Sequence, residues 1–167
     1  RSGSHPYNLS LVAALIAHNG EANTEDWARR VVANMARTPR GGDTDQIKGV
    51  AAGECGVALT NSYYYVRLLR SSKPEEREWA AKTGVVWPDQ ASYGTHINIA
   101  GAGVLKNAPH RENAIRFLEY LASDDAQSYF ANGNNEWPAV KGAVAKNPEL
   151  EALGAFKADP LPIATLG

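Results

Sequence analysis

Cysteine is nearly absent from this chain. Cys55 is the single thiol among 167 residues, so no intramolecular disulfide can form and no Cys-rich zinc site can be assembled. A bound metal must be held by other atoms. An excess of one charge is also lacking: seventeen Lys and Arg stand against eighteen Asp and Glu, a formal net charge of −1. That balance excludes the basic surplus of a nucleic-acid binder and the like-charge tail that adheres to phosphate or to a membrane surface. Long hydrophobic runs are missing as well. Leu11 to Ala17, at seven residues, falls far short of the roughly 20 that a membrane helix needs, so no membrane insertion is expected. The sequence opens on Arg1, with no initiator methionine and no signal peptide, and compartment is not legible from that start.

What is present is a chain 44% hydrophobic and 21% charged, at about 150 residues per domain the size of a single domain with a core of its own. Helices are expected from Asn8 to Asn19-Gly20, from Asn23 or Thr24 to before Pro39, and from Asp43 or Thr44 to Gly53. Others should start at Asn61 or Ser62, at Pro74, after Pro109, at Ser123 or Asp124 and at Pro148. Gly56 to Thr60 is expected as a buried strand, Thr83 to Trp87 as a second, and His96 to Val104 as a third, bent at Gly101 and Gly103. Helices alternating with short strands predict an α/β fold. Yet the strands are few, none precedes the first helix and no closing element follows, so the chain looks like a piece of a larger fold.

Seven tyrosines are present, three of them consecutive at Tyr63, Tyr64 and Tyr65. Neighbours on a helix project about 100° apart, so three in a row cannot all face one core. These three fall at a helix N-terminus, whose partial positive charge favours phenolate. Arg67 follows at helical spacing from Tyr63 and Tyr64, within reach of both oxygens, and the helix comes after a strand, where open α/β sheets bind ligands. A free phenol ionises only near pH 10, so a cation or strong donors must stabilise its charged form. Phenolate oxygen is a hard ligand suited to a hard, highly charged cation such as Fe3+.

Several segments together carry a resemblance: Arg1-Ser2-Gly3-Ser4-His5-Pro6-Tyr7-Asn8-Leu9-Ser10, Gly42-Asp43-Thr44-Asp45-Gln46-Ile47, Gly53-Glu54-Cys55, Asn61-Ser62-Tyr63-Tyr64 and Gly94-Thr95-His96-Ile97-Asn98-Ile99-Ala100-Gly101. The chain resembles the second half of a periplasmic ferric iron-binding protein, the substrate-binding subunit of an iron ABC transporter. That resemblance implies a two-lobed α/β protein with the cleft between its lobes, of which this chain holds the C-terminal lobe and part of the hinge and N-terminal lobe, incomplete at both ends. Residues 1–93 would belong to the C-terminal lobe, 94–140 would cross toward the N-terminal lobe, and 141–167 would return. Tyr63 and Tyr64 match the family's adjacent tyrosine ligands. Tyr7 matches the additional tyrosine of members that bind iron without a synergistic anion, a third phenolate supplying the charge the anion would bring. Arg67 and Asn61 would assist as donors near phenolate oxygen. The partners implied are ferric iron, an ABC transporter permease, and the missing lobe or a separate complementary chain. The setting implied is the periplasm, or outside the cytoplasmic membrane on an anchor carried by the parent protein. Without its opposing lobe, the chain should hold iron more weakly.

Other candidates read as structural. His5 suits a solvated turn, His96 a hydrogen-bonded position, Cys55 a buried inert thiol, Tyr65 the core, and Asp43 and Asp45 helix caps. Gly101-Ala102-Gly103 lacks the third glycine of a dinucleotide loop. Two alternatives stand beside ferric iron: a cleft for a small anion or metal chelate, held by Arg67 and helix N-termini, and an α/β enzyme fragment using tyrosine as acid or base. No Ser/His/Asp order, carboxylate dyad or phosphate loop supports the enzyme.

Overall fold

The computed structural model of the chain describes residues 4–166. Its first helix, α1, spans Pro6–Asn19 with His5 extended at the cap position. Pro6 rather than Asn8 opens it because proline lacks the N–H that a helix start leaves unpaired, and its fixed φ suits the first helical position. The earlier start places Tyr7 and Asn8 inside the first turn. At the other end Gly20, with φ of 79°, donates its N–H to the Ile16 carbonyl at 2.7 Å. Helix α2, Glu21–Ala33, follows at once. Thr24 therefore caps nothing; its hydroxyl donates back to the Gly20 carbonyl at 2.9 Å.

The remaining helices are α3 at Asp43–Ala51, α4 at Ser62–Leu69, α5 at Pro74–Ala81, α6 at Arg111–Leu121, α7 at Asp124–Tyr129 and α8 at Pro148–Glu151. A π turn over Phe130–Asn134 continues α7, and a 3-10 turn over Ile163–Leu166 packs on α1. The expected Ser123 cap holds, its hydroxyl accepting the Ala126 N–H, and at α8 the Asn147 side chain accepts the Leu150 N–H just before Pro148.

Helix α4 stands between two small cores. Val66, fully buried, packs with Ala131, Ala145 and Leu150 beneath Trp137 and Leu153. Leu68, 1% exposed, packs on its other side with Ile47 and Ala80. Polar contacts tie the first core shut. The Arg70 guanidinium donates to the Asn132 carbonyl and to Asn135 Oδ1, each at 2.6 Å, and the buried Asn147 amide donates to the Ala131 carbonyl at 2.8 Å.

The three expected strands are not formed as ladders. Among the described residues one isolated parallel bridge occurs, between Thr95 and Ala158, and the expectation that 56–60 is buried fails, since Val57 is 82% exposed. Val86, Ile97 and Ile99 are likewise exposed. A strand becomes buried on both faces only when neighbours pair along its edges and helices cover it, and these segments have no such neighbours among the described residues.

The bridge itself is tight. Thr95 donates its N–H to the Lys157 carbonyl at 2.8 Å and accepts the Asp159 N–H at 2.9 Å. Gly94, with φ of 102°, makes the crossing feasible, because a Cβ there would lie 2.7 Å from the Lys157 carbonyl oxygen.

Candidate functional site

The start of α4 is fixed before its tyrosines begin. Asn61 is extended at the cap position, and its N–H donates to Asp43 Oδ2 at 2.8 Å. Asp43 is 3% exposed and opens α3, so one buried carboxylate locks the beginning of the tyrosine helix to its neighbour. The cap of α3 is Gly42, whose N–H donates to Asp45 Oδ2 at 2.7 Å. Of the two aspartates expected as caps, Asp45 serves the α3 terminus and Asp43 serves the tyrosine site instead.

Tyr63 and Tyr64 lie side by side, with ring centroids 4.4 Å apart and planes tilted by 32°. The Asn61 amide donates to the Tyr63 hydroxyl at 3.4 Å. The Tyr63 phenol is pushed up to about 12, first by burial and then by its hydrogen bond with Tyr64, while the Asn61 donor works in the opposite direction. Charge on Tyr64 or on Tyr7 would raise it further, which places Tyr7 within electrostatic range of Tyr63. Tyr63 and Tyr64 thus form a pair in the first turn of α4, and Tyr7, in the first turn of α1, is near enough for its charge to act on Tyr63.

Arg67 behaves differently from expectation. Its guanidinium sits over the Tyr64 ring, 5.1 Å from the centroid, a cation–π contact with the face of the ring. Tyr63 rises because burial outweighs the one donor that stabilises its charge, the Asn61 amide. Tyr65 turns away as expected: its hydroxyl donates to the Ala80 and Thr83 carbonyls, both at 3.2 Å, and its ring packs in the Leu68 core.

The Tyr7 ring lies against His5, with centroids 3.7 Å apart and planes tilted by 38°. One turn on, the Ser10 hydroxyl donates to the Tyr7 carbonyl at 3.1 Å. Ser10 also meets His96 Nε2 at 3.2 Å, so His96 is hydrogen-bonded as expected, and burial holds its pKa below the usual imidazole value. Cys55 is half-buried rather than buried. Sequence reading missed the roles of Ser10 and Asp43. Both act across long stretches of chain, and their one local signal is proximity to Tyr7 or to a helix start.

Among the described residues no group of three or more His, Cys, Asp and Glu side chains gathers as metal ligands do. At neutral pH Tyr63 is uncharged, and a highly charged cation would have to displace its proton to bind.

A family model for bacterial extracellular solute-binding proteins matches residues 2–158. Iron uptake protein A2 of Synechocystis is 53% identical over 169 aligned residues, covering 100% of this chain and 49% of that protein. Among solved structures, that of a Trichodesmium FutA (IdiA) in complex with iron and citrate ligands is 50% identical with a TM-score of 0.94, covering 100% of this chain and 52% of that one. The ferric binding protein of Campylobacter jejuni is 34% identical with a TM-score of 0.93, covering 99% and 52%. The chain spans about half the length of the curated relatives it matches.

Proposed function

The chain belongs to the family of bacterial extracellular solute-binding proteins, and on that premise we propose that it binds ferric iron as cargo through the phenolates of Tyr7, Tyr63 and Tyr64. Its fold is part of a two-lobed α/β binding protein. Its relatives are named for iron uptake and ferric binding, and the family binds solutes rather than transforming them, so the enzyme alternative falls away.

The observation that carries the reading is the tyrosine neighbourhood: Tyr63 and Tyr64 in ring contact at 4.4 Å, with Tyr7 in electrostatic range. Three phenolates balance the charge of Fe3+, which makes its desolvation feasible. Each must lose a proton on binding, so the raised Tyr63 phenol acts as a gate that a weak cation does not open. The Asn61 amide already donates to the Tyr63 oxygen and would steady its charged form, while Arg67 fixes the Tyr64 ring from its face.

The further partners follow from the same reading. The opposing lobe, from the rest of a longer polypeptide or from a complementary chain, closes over the iron, and an ABC transporter permease receives it. The work is done in the periplasm, with any membrane anchor carried by the parent protein. Alone, the tyrosine half holds iron more weakly because it cannot enclose it. Titration with ferric nitrilotriacetate should raise a phenolate-to-iron charge-transfer band that Tyr63→Phe and Tyr64→Phe each diminish. Unchanged affinity in both variants would sink the proposal.

A second reading keeps the site and changes the cargo. The Trichodesmium structure contains citrate along with iron, so iron held as its citrate chelate is also supported. Citrate added to the titration should then tighten binding, whereas with free Fe3+ as cargo it should compete.

A further inference from the structure

Both ends of α1 are fastened to the Thr95–Ala158 crossing. At the C-terminal end, His18 Nε2 meets Asp159 Oδ2 at 2.8 Å, and the His18 ring stacks on Tyr93 with centroids 3.8 Å apart. At the N-terminal end, His96, next to Thr95, meets Ser10. The crossing is rigidly set. Beyond its bridge bonds, the Thr95 hydroxyl donates to the Pro88 carbonyl at 2.8 Å, and the Gln90 amide donates to that hydroxyl at 2.9 Å. Thr95 is 8% exposed and Asp159 5%.

The direction of the Ser10–His96 bond follows from proton counting. A serine hydroxyl has one hydrogen, and that of Ser10 is committed to the Tyr7 carbonyl. With that hydrogen on the Tyr7 carbonyl, Ser10 accepts from His96, which puts a proton on Nε2 and leaves Nδ1 as the bare nitrogen of the neutral ring. A directed chain results: His96 Nε2–H to Ser10 Oγ, and Ser10 Oγ–H to the Tyr7 carbonyl.

We propose that His96 is a positioning residue for Tyr7, holding the first turn of α1 through Ser10 so that the Tyr7 phenol stays in register with Tyr63 and Tyr64. This inference rests on the reading of Tyr7 as an iron ligand. It adds to that reading that the placement of this ligand is set by the crossing segment, which lies outside the tyrosine helices. The half-buried His96 gives the fixed point, the buried Thr95 and Asp159 keep it fixed, and Ser10 spans the gap to the Tyr7 backbone. Small errors in ligand placement are costly at a metal because coordination distances tolerate only tenths of an ångström.

The test uses the full chain with ferric nitrilotriacetate as probe. Replacing His96 by Phe keeps an aromatic ring and removes the donor; His96→Gln places an amide N–H in nearly the same position. His96→Phe should weaken ferric binding about 10- to 100-fold and reduce the charge-transfer band to that of Tyr7→Phe, while His96→Gln restores both. In a Tyr7→Phe background, His96→Phe should change nothing further, because both substitutions remove the same ligand. Additive losses, or full affinity in His96→Phe, overturn the positioning role while leaving Tyr7 as a ligand. Full affinity in Tyr7→Phe overturns the ligand reading itself. Independently of iron, 15N NMR of the imidazole above pH 7 should find the neutral ring protonated at Nε2, and protonation at Nδ1 overturns the proposal.

Discussion

The carboxylate of Asp43 accepts the backbone N–H of Asn61 at 2.8 Å from a site only 3% exposed, so the tyrosine pair begins from a point held by another helix. An N–H facing a buried carboxylate is left without an acceptor when the carboxylate is removed. Asp43→Ala should therefore destabilise the chain by about 1–3 kcal/mol, with Asp43→Asn losing less because an acceptor oxygen remains. Urea unfolding of the three proteins measures both differences.

Iron binding should tighten as pH rises. The Tyr63 phenol is pushed up to about 12, so at neutral pH it carries a proton that the metal must expel. The apparent affinity gains about one order of magnitude per pH unit for each phenolate formed. Ferric titrations at several pH values, against a competing chelator of known proton linkage, give the slope, and Tyr63→Phe should lower it by one phenolate.

Stability should respond to His96 in the acid range. Burial lowers its pKa in the folded chain, so as pH falls below about 6.5 the unfolded chain takes up this proton before the folded one does. The contribution of the neutral ring is present above that value and is lost as pH falls toward the depressed one. Urea midpoints followed through this window should drop more steeply for the parent chain than for His96→Gln, which has no proton to take up.

Core and surface apolar residues should part sharply. Leu68→Ala empties a fully packed position shared with Ile47 and Ala80 and should cost about 2–5 kcal/mol. Val86 is 86% exposed, and Val86→Ala should move stability by no more than about 0.5 kcal/mol. Thermal or urea denaturation separates the two.

Most helices were legible because their signals are local. Proline at Pro74 and Pro148, the Ser123 cap and the Gly20 stop each act within a turn of where they stand. The start of α1 was misplaced at Asn8 because two local signals competed, and proline at the first helical position outweighed the capping side chain. The inward turn of Tyr65 was legible through helical geometry, whereas the proposal of Tyr7, Tyr63 and Tyr64 as ligands rests on resemblance to a family. Arg67 shows where spacing falls short: it predicts reach but not whether a guanidinium meets an oxygen or a ring face. The strands fail for a non-local reason, since Val57 and Val86 have strand-like sequences whose pairing depends on edges that no local pattern supplies. The Ser10–His96 contact spans 86 residues, and no periodicity registers it.

Helix α4 sends Val66 into one core and Leu68 into the other, and this governs which fluctuations the tyrosine site experiences. A segment anchored on one side can open by itself while the rest of the molecule stays folded. One shared by two packed clusters opens only when both loosen, so the hydrogen-bonded amides beyond its first turn should be well protected from exchange. Tyr63 and Tyr64 stand at the start of this doubly anchored helix, just ahead of Val66 and Leu68. Partial unfolding elsewhere, such as fraying at the exposed strand-like segments, leaves the paired phenols standing.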